Sequence, residues 1–502
     1  MGKLLPAAVI CIVLLVLAGL NRGFDISDEG LYVLLADPLQ SNVAGIFNYD
    51  LFFKLIHLLF GYEFTLVELR LFRLISYLLG AWALMGFWKN VSGEEKSDLK
   101  VFWIACLGIF AGYAFLPPTL SYNALVVVLT CFWLKNLSKP SLSWWSNLGL
   151  GSVIALVAYV KISLLPFFVV ISLFVIWVKN KDNLKLAPVL FLPLLVLECF
   201  FWLALDENAS MRLWEGIPAN RHRPTYQFPY LIRSVLVGIF WSGLIAVFFF
   251  LSGYVTRFRK VTFRYFSWII AGGLVGGAVY QTHITAEWNH VVLLFSAAVI
   301  AYRMGQTEFG FFKINTWALL LFILPFALHF GSNVYWLRIG THYWVFWILG
   351  FLLIAKSEVE RFALPIGTLS ILLVFNGIWW HPFGQEQPLW AEKFPWQRTA
   401  GEVIYLNAEE VGIAQKISDL KTGKGINEIL AVYRIPGLVW LAGMTIPFSP
   451  GFWEMSQIET FFINQPRQLI YSGQEELPQR WRFHHQTNLG QFQGDNMLLL
   501  WN

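Results

Sequence analysis

The sequence predicts a polytopic α-helical membrane protein of about thirteen transmembrane helices with a small C-terminal α/β domain, on three observations. Of 502 residues, 57% are hydrophobic and only 13% charged, and the mean hydropathy is +0.58. Apolar runs close to the roughly 20 residues that cross a bilayer as a helix recur as far as Trp380. From Pro382 onwards charges, amides and turn residues return, and no later run is long enough to cross. The chain therefore divides into a membrane domain, 1–381, and a soluble domain, 382–502.

In order, the spans fall at 4–20, 67–88, 101–116, 121–134, 148–160, 163–178, 186–205, 231–254, 266–281, 291–303, 316–330, 342–355 and 362–380. They are expected as helices, because lipid offers backbone amides no partner and the runs lack strand alternation. The first follows Lys3 and is short enough for a signal peptide, but Ala18-Gly19-Leu20 makes a poor cleavage site, so an uncleaved anchor is expected. Alternate loops gather the cations Lys89, Lys96, Lys100, Lys135, Lys139, Lys179, Lys181, Lys185, Arg257, Arg259, Lys260, Arg264, Arg303, Lys313, Lys356 and Arg361. The positive-inside rule then puts the N-terminus inside and the C-terminus outside. On that topology the loop 21–63, the turn 117–123 and the loops 206–230, 283–290 and 331–341 share the outer face. Cys11, Cys106, Cys131 and Cys199 all lie in or beside apolar runs and read as packing residues, with neither a disulfide framework nor a zinc site.

In the soluble domain, 402–406, 428–433, 468–471 and 497–501 read as strands. Asn407 with Glu410 forms a capping pair ahead of Val411, Ile413, Ala414, Ile417 and Leu420 at helical spacing. Gly423-Lys424-Gly425 fits a helix-ending turn better than a phosphate loop.

The chemistry starts in the first outer loop, where Asp25-Ile26-Ser27-Asp28-Glu29-Gly30-Leu31-Tyr32 sets an acidic cluster directly after the first span. Carboxylates are costly beside lipid, so their retention there points to function. Taken singly, each acid also fits a solvated loop or the negative N-terminus of the helix starting near Gly30, and Asp25 is read as a capping or solvated residue. As a consecutive pair, Asp28 and Glu29 suit acid–base work, one carboxylate taking a proton from an acceptor hydroxyl while its neighbour orients the substrate or a metal. Further along the loop come Asn48-Tyr49-Asp50 and an amphipathic stretch at 51–60 suited to the membrane interface.

Asp28-Glu29-Gly30-Leu31-Tyr32 after the first span, Glu68-Leu69-Arg70-Leu71-Phe72-Arg73 opening the second, and Lys161 ahead of Leu164-Leu165-Pro166 resemble the GT-C superfamily of polyprenyl-phosphate-sugar glycosyltransferases. The likeness is to the protein O-mannosyltransferase and aminoarabinose transferase branch. It covers the plan of the whole chain through short motifs. The resemblance implies a bacterial inner-membrane enzyme that moves a sugar from a polyprenyl-phosphate donor to a glycan, lipid or protein acceptor on the outer side. It implies Asp28 as the base, with Glu29 as its partner. A His-Pro-Pro element later in the first loop is absent here, and Asn48-Tyr49-Asp50 stands at about that place, which leaves the acceptor open.

Cations at the same face would stabilise the departing lipid phosphate. Arg70 and Arg73, three apart, share a helix face and read equally as phosphate ligands or as side chains reaching to headgroups, with Glu68 as a local partner. Lys161 interrupts an apolar stretch and is assigned to the donor phosphate, although its place near the outer end of its helix also lets it reach water. Arg212, Trp214, Arg221, His222 and Arg223 mix cations with an aromatic, which suits phosphate and sugar faces as well as a basic loop against lipid; Arg221 and Arg223 are taken as donor-binding. The turn Pro117-Pro118-Thr119-Leu120-Ser121-Tyr122-Asn123 and the segment Gly331-Ser332-Asn333 present hydrogen-bonding groups, and Tyr122, Asn123 and Asn333 are candidates for sugar hydroxyls, although capping and turn chemistry also explain them. His283, Glu287 and His290 match no strong metal signature, so a divalent cation stays an open cofactor. Membrane lipids are expected partners and nucleic acid is not. The rival class, a transporter or flippase of lipid-linked sugars, would place polar groups at mid-membrane and show an internal repeat, and neither is evident. A structural membrane protein would leave the acidic cluster without a purpose.

Overall fold

The structure, a computed structural model, describes residues 3–43, 45–93, 98–140, 143–179, 181–221, 223, 226–256, 262–281, 289–306, 315–355, 359–398 and 402–502. Helix α1 (Leu4–Ala18) leads into two loop helices, α2 (Asp28–Ala36) and α3 (Asp50–Phe60). Then follow α4 (Leu66–Ser92), α5 (Leu99–Phe110), α6 (Tyr122–Leu137), α7 (Trp144–Val160), α8 (Leu165–Lys179) and α9 (Leu192–Leu205). A loop helix, α10 (Ala209–Arg221), precedes α11 (Phe228–Thr256), α12 (Thr262–Gln281), α13 (Asn289–Gln306), α14 (Thr316–His329), the short α15 (Trp336–Ile339), α16 (Trp344–Ala355) and α17 (Val359–Val374). Each apolar run of the sequence is thus helical. Among the described residues, six helical stretches are long and apolar enough to cross a membrane: Leu66–Ser92, Ile162–Lys179, Lys185–Leu205, Phe228–Thr256, Trp336–Ala355 and Phe362–Trp380. Shorter apolar helices, such as Leu4–Ala18 and Trp144–Val160, accompany them.

The bundle has the surface of a membrane protein. Helix α1 buries Leu5, Val9, Ile12 and Val16 as one stripe and leaves Ile10, Leu14 and Leu17 exposed. In water such exposure would be costly; against acyl chains it costs nothing. The Trp336–Ala355 stretch is buried along most of its length and forms the centre, while Ile162–Lys179 and Lys185–Leu205 are peripheral.

The C-terminal region contains β1 (Phe394–Gln397), β2 (Val403–Leu406), α18 (Ala408–Lys424), β3 (Leu430–Ala431), α19 (Pro436–Leu441), α20 (Met455–Phe461), β4 (Gln468–Ser472), β5 (His485–Phe492) and β6 (Asp495–Trp501). β1 and β2 form an antiparallel pair, and a four-stranded sheet runs β3-β4-β6-β5, with β3 parallel to β4 and the other pairs antiparallel. Asn407 caps α18 by accepting from the Glu410 N–H, and Gly425 ends it at φ +65° with its N–H on Lys421 O, so the Gly-Lys-Gly stretch is a helix stop. Two strands escape the sequence pattern. β5 reads His-Gln-Thr-Asn and is largely exposed, and β1 carries Pro395.

This region does not stand apart from the bundle. Its core, with Leu430, Trp440, Ile446 and Leu469, is continuous with Phe24, Ile26, Val33 and Leu34 of the first loop and with Leu66 and Leu69 of α4. The acidic cluster is therefore sandwiched between the membrane helices and the C-terminal region.

Candidate functional site

Gly30 explains how closely the two layers meet. A Cβ there would lie 2.3 Å from the Gly437 backbone nitrogen, so α2 and α19 cross backbone against backbone. The Gly437 N–H donates to Ile26 O at 2.7 Å, and Phe24 stacks on Trp440 with centroids 5.2 Å apart. Arg398 completes the clamp, donating to Trp440 O at 2.9 Å and to the Asp37 carboxylate at 3.0 Å.

Successive helical residues are turned by about 100°, so the acids of α2 point different ways. Asp25 accepts from the Ser27 and Glu29 N–H groups and starts the helix. Burial, then the charge of Asp28, pushes its carboxyl well above the usual range. Glu29, 1% exposed, turns inward: Arg70 Nε donates to Oε1 at 2.9 Å and Nη2 to Oε2 at 2.8 Å, while the Thr119 hydroxyl also donates to Oε1. Asp28 alone faces a cavity of about 550 Å³. Its half-buried carboxylate accepts no hydrogen bond among the described residues. Burial pushes it up to about 6, against a downward pull from Arg434.

The cavity lies between the end of the helix bundle and the C-terminal region. Tyr32 of α2 and Phe47, which stacks on Tyr122 at 4.2 Å, form its first-loop side. Tyr122, Asn123, Asn333 and Arg338 line it from the membrane domain, and Arg223, Tyr226 and Tyr230 from the loop around α10. Arg434, Ser449, Trp453 and Gln457 line it from the C-terminal region. Asn123 is 2% exposed, yet among the described residues its Oδ1 has no hydrogen-bond partner, the condition of an acceptor kept for a ligand. Arg223 stacks over Tyr226, 4.1 Å from the ring centroid, with Nε 3.6 Å from the Glu454 carboxylate. Among the described lining residues, three arginines and one carboxylate stand with five tyrosines and one tryptophan, which suits an anionic, ring-bearing ligand.

Of the residues singled out by sequence, Asp28, Tyr122, Asn123, Arg223 and Asn333 share this cavity. The others stand elsewhere. Arg70 commits all five N–H donors, two to Glu29 and the rest to Leu20 O, Arg22 O and Gly23 O at 2.8–2.9 Å, so it ties the end of α1 to the acidic loop. Glu68 is occupied in a capping box with Thr65. Arg73 donates to Pro117 O, to Gly112 O at 2.8 Å and to the Tyr77 hydroxyl at 3.2 Å, under the ring of Tyr113; it anchors the 117–123 turn. Lys161 is buried and donates to Leu328 O at 2.9 Å, satisfying a carbonyl of the last turn of α14. Arg221 is exposed at the end of α10 and is not on the cavity wall, and Arg212 pairs with Asp50 at 2.6 Å and with Glu207, fastening α10 to α3. His222, His283 and Glu287, and the side chain of His290, lie outside the described residues. Among the described residues, no three His, Cys, Asp or Glu side chains are grouped as a metal would need.

Sequence reasoning passed over Arg338, Arg434, Tyr226, Tyr230 and Trp453. Arg338 did carry a signal, since it stands alone between Trp336-Leu337 and Ile339, the same pattern that marked Lys161. Arg434 carried none, being one of several cations in a polar region. No protein-family model, curated protein or solved structure matches the chain, so the geometry carries the functional reading by itself.

Proposed function

We propose that the chain is an integral membrane glycosyltransferase that moves a sugar from a polyprenyl-phosphate donor to a glycan, lipid or protein acceptor. The observation that carries this reading is Asp28: a carboxylate with no protein hydrogen-bond partner among the described residues, in a cavity shared with arginines and aromatic rings at the end of an apolar bundle. A base near neutrality, an anion site and ring-stacking faces are what such a transfer needs.

Asp28 takes the proton of the acceptor hydroxyl as that oxygen attacks the anomeric carbon from the side opposite the phosphate. The carbon–oxygen bond to the phosphate breaks, the lipid phosphate leaves with the electron pair, and the configuration inverts. Arg223, with Arg338 on the same wall, meets the developing negative charge. Tyr122, Asn123 and Asn333 bind sugar hydroxyls, with Asn123 Oδ1, which has no partner among the described residues, as an acceptor. Glu29 acts by holding α2 through Arg70, which keeps Asp28 aimed at the cavity. In this reading all thirteen apolar helices cross the inner membrane of a bacterium, and the C-terminal region lies on the periplasmic or extracellular side. The test is sugar transfer by membranes supplied with a polyprenyl-phosphate sugar: Asp28→Asn should lower turnover at least about 100-fold. Full activity in that variant would remove Asp28 as the base.

A further inference from the structure

Arg434 reaches the cavity from the C-terminal region, and three features single it out. Its backbone sits in the left-handed region, φ +57°, which is strained for a non-glycine residue and is usually held for a purpose. Its surroundings fix it relative to Asp28: Ile26 and Gly30 flank Asp28 and meet Gly437, three residues after Arg434, backbone to backbone. Among the described residues its guanidinium donates no hydrogen bond, whereas Arg70, Arg73 and Arg398 are all committed to carbonyls or carboxylates. It is exposed on the cavity wall, and its charge acts on Asp28 of the first loop.

We infer that Arg434 binds the phosphate of a lipid phosphate in this cavity, so that the C-terminal region supplies part of the reaction site. The inference rests on the transferase reading and adds a residue and a role to it. A guanidinium with unspent donors in a partly enclosed cavity forms charge-assisted, bidentate bonds to phosphate oxygens. Its charge also keeps Asp28 ionised beside a leaving anion, which would otherwise repel the base.

The experiment uses the full chain in detergent and measures binding of a water-dispersible prenyl monophosphate, the matching prenyl alcohol and inorganic phosphate. Wild type is expected to prefer the prenyl phosphate over the alcohol by about ten-fold or more. Arg434→Gln should abolish most of that preference without changing alcohol binding, and Arg434→Lys should keep part of it. Equal preference in wild type and Arg434→Gln would overturn the inference, as would inorganic phosphate displacing the prenyl phosphate at equal concentration, which would mark a free-phosphate site. Asp28→Asn separates the two claims: it should still bind prenyl phosphate while failing to transfer sugar. Inactive Asp28→Asn with an unaltered Arg434→Gln removes the Arg434 role alone, whereas active Asp28→Asn removes the base and leaves the phosphate site standing.

Discussion

Replacing Arg70 by lysine separates a scaffold role from a ligand role. The guanidinium makes five short contacts at 2.8–2.9 Å, two to Glu29 and three to the carbonyls of Leu20, Arg22 and Gly23. An ammonium has three donors, so at least two acceptors are left unmet in a place where the arginine is 1% exposed. Each buried acceptor left unmet costs about 1–3 kcal/mol, which puts Arg70→Lys at roughly 2–6 kcal/mol. At about 2 °C per kcal/mol for a chain this large, melting should drop by on the order of 8 °C. The 24 tryptophans make intrinsic-fluorescence melting in a fixed detergent the natural assay. Binding of prenyl phosphate, measured well below the melting transition, should be unchanged. If Arg70→Lys melts like wild type and loses phosphate binding, Arg70 is a ligand and the reasoning fails.

Four further outcomes are expected. With its carboxyl at about 6, Asp28 is protonated below that pH and cannot act as base, so turnover should fall about ten-fold per unit below pH 6 and level off above 7; Arg434→Gln, which removes the downward pull, should move that acid limb to higher pH. Gly437→Ala places a Cβ 2.6 Å from Ile26 Cα and must push α19 off α2, at a cost of about 1–3 kcal/mol read as a lower melting temperature. Glu410 and Glu392 are buried carboxylates, each with an Oε2 that has no hydrogen-bond partner among the described residues, and burial raises both, Glu392 to about 7. The folded state therefore holds their protons more tightly than the unfolded one, and stability falls as pH rises through that range; Glu410→Gln should melt above wild type at pH 8, with the gap closing by pH 5.

The membrane helices are legible in the sequence because lipid imposes one requirement on every span, a long apolar helix, and composition reports it directly. The acidic cluster is legible as well, since carboxylates beside a span are costly. How Asp28 and Glu29 divide their roles is not. As consecutive acids both suit chemistry, and only the 100° turn between them, with Arg70 on one side, sends Glu29 into the scaffold and Asp28 into the cavity. Arg70, Arg73 and Lys161 all stand in the sequence as cations beside or within apolar runs. Their acceptors are carbonyls far away in the chain, at Gly23, Gly112 and Leu328, and a backbone carbonyl leaves no mark in residue identity. The abrupt change in polarity makes the C-terminal region look like a separate module in the sequence, yet Gly30 and Gly437 bring it onto the acidic loop and carry Arg434 to the site.

A cryo-EM map of the full chain with a bound polyprenyl phosphate is the most direct measurement. The phosphate should lie in the cavity between Asp28 and the arginines Arg223 and Arg434, with its tail leading toward the apolar bundle. Phosphate density against Lys161 or Arg73, with the Asp28 cavity empty of lipid, would contradict the account.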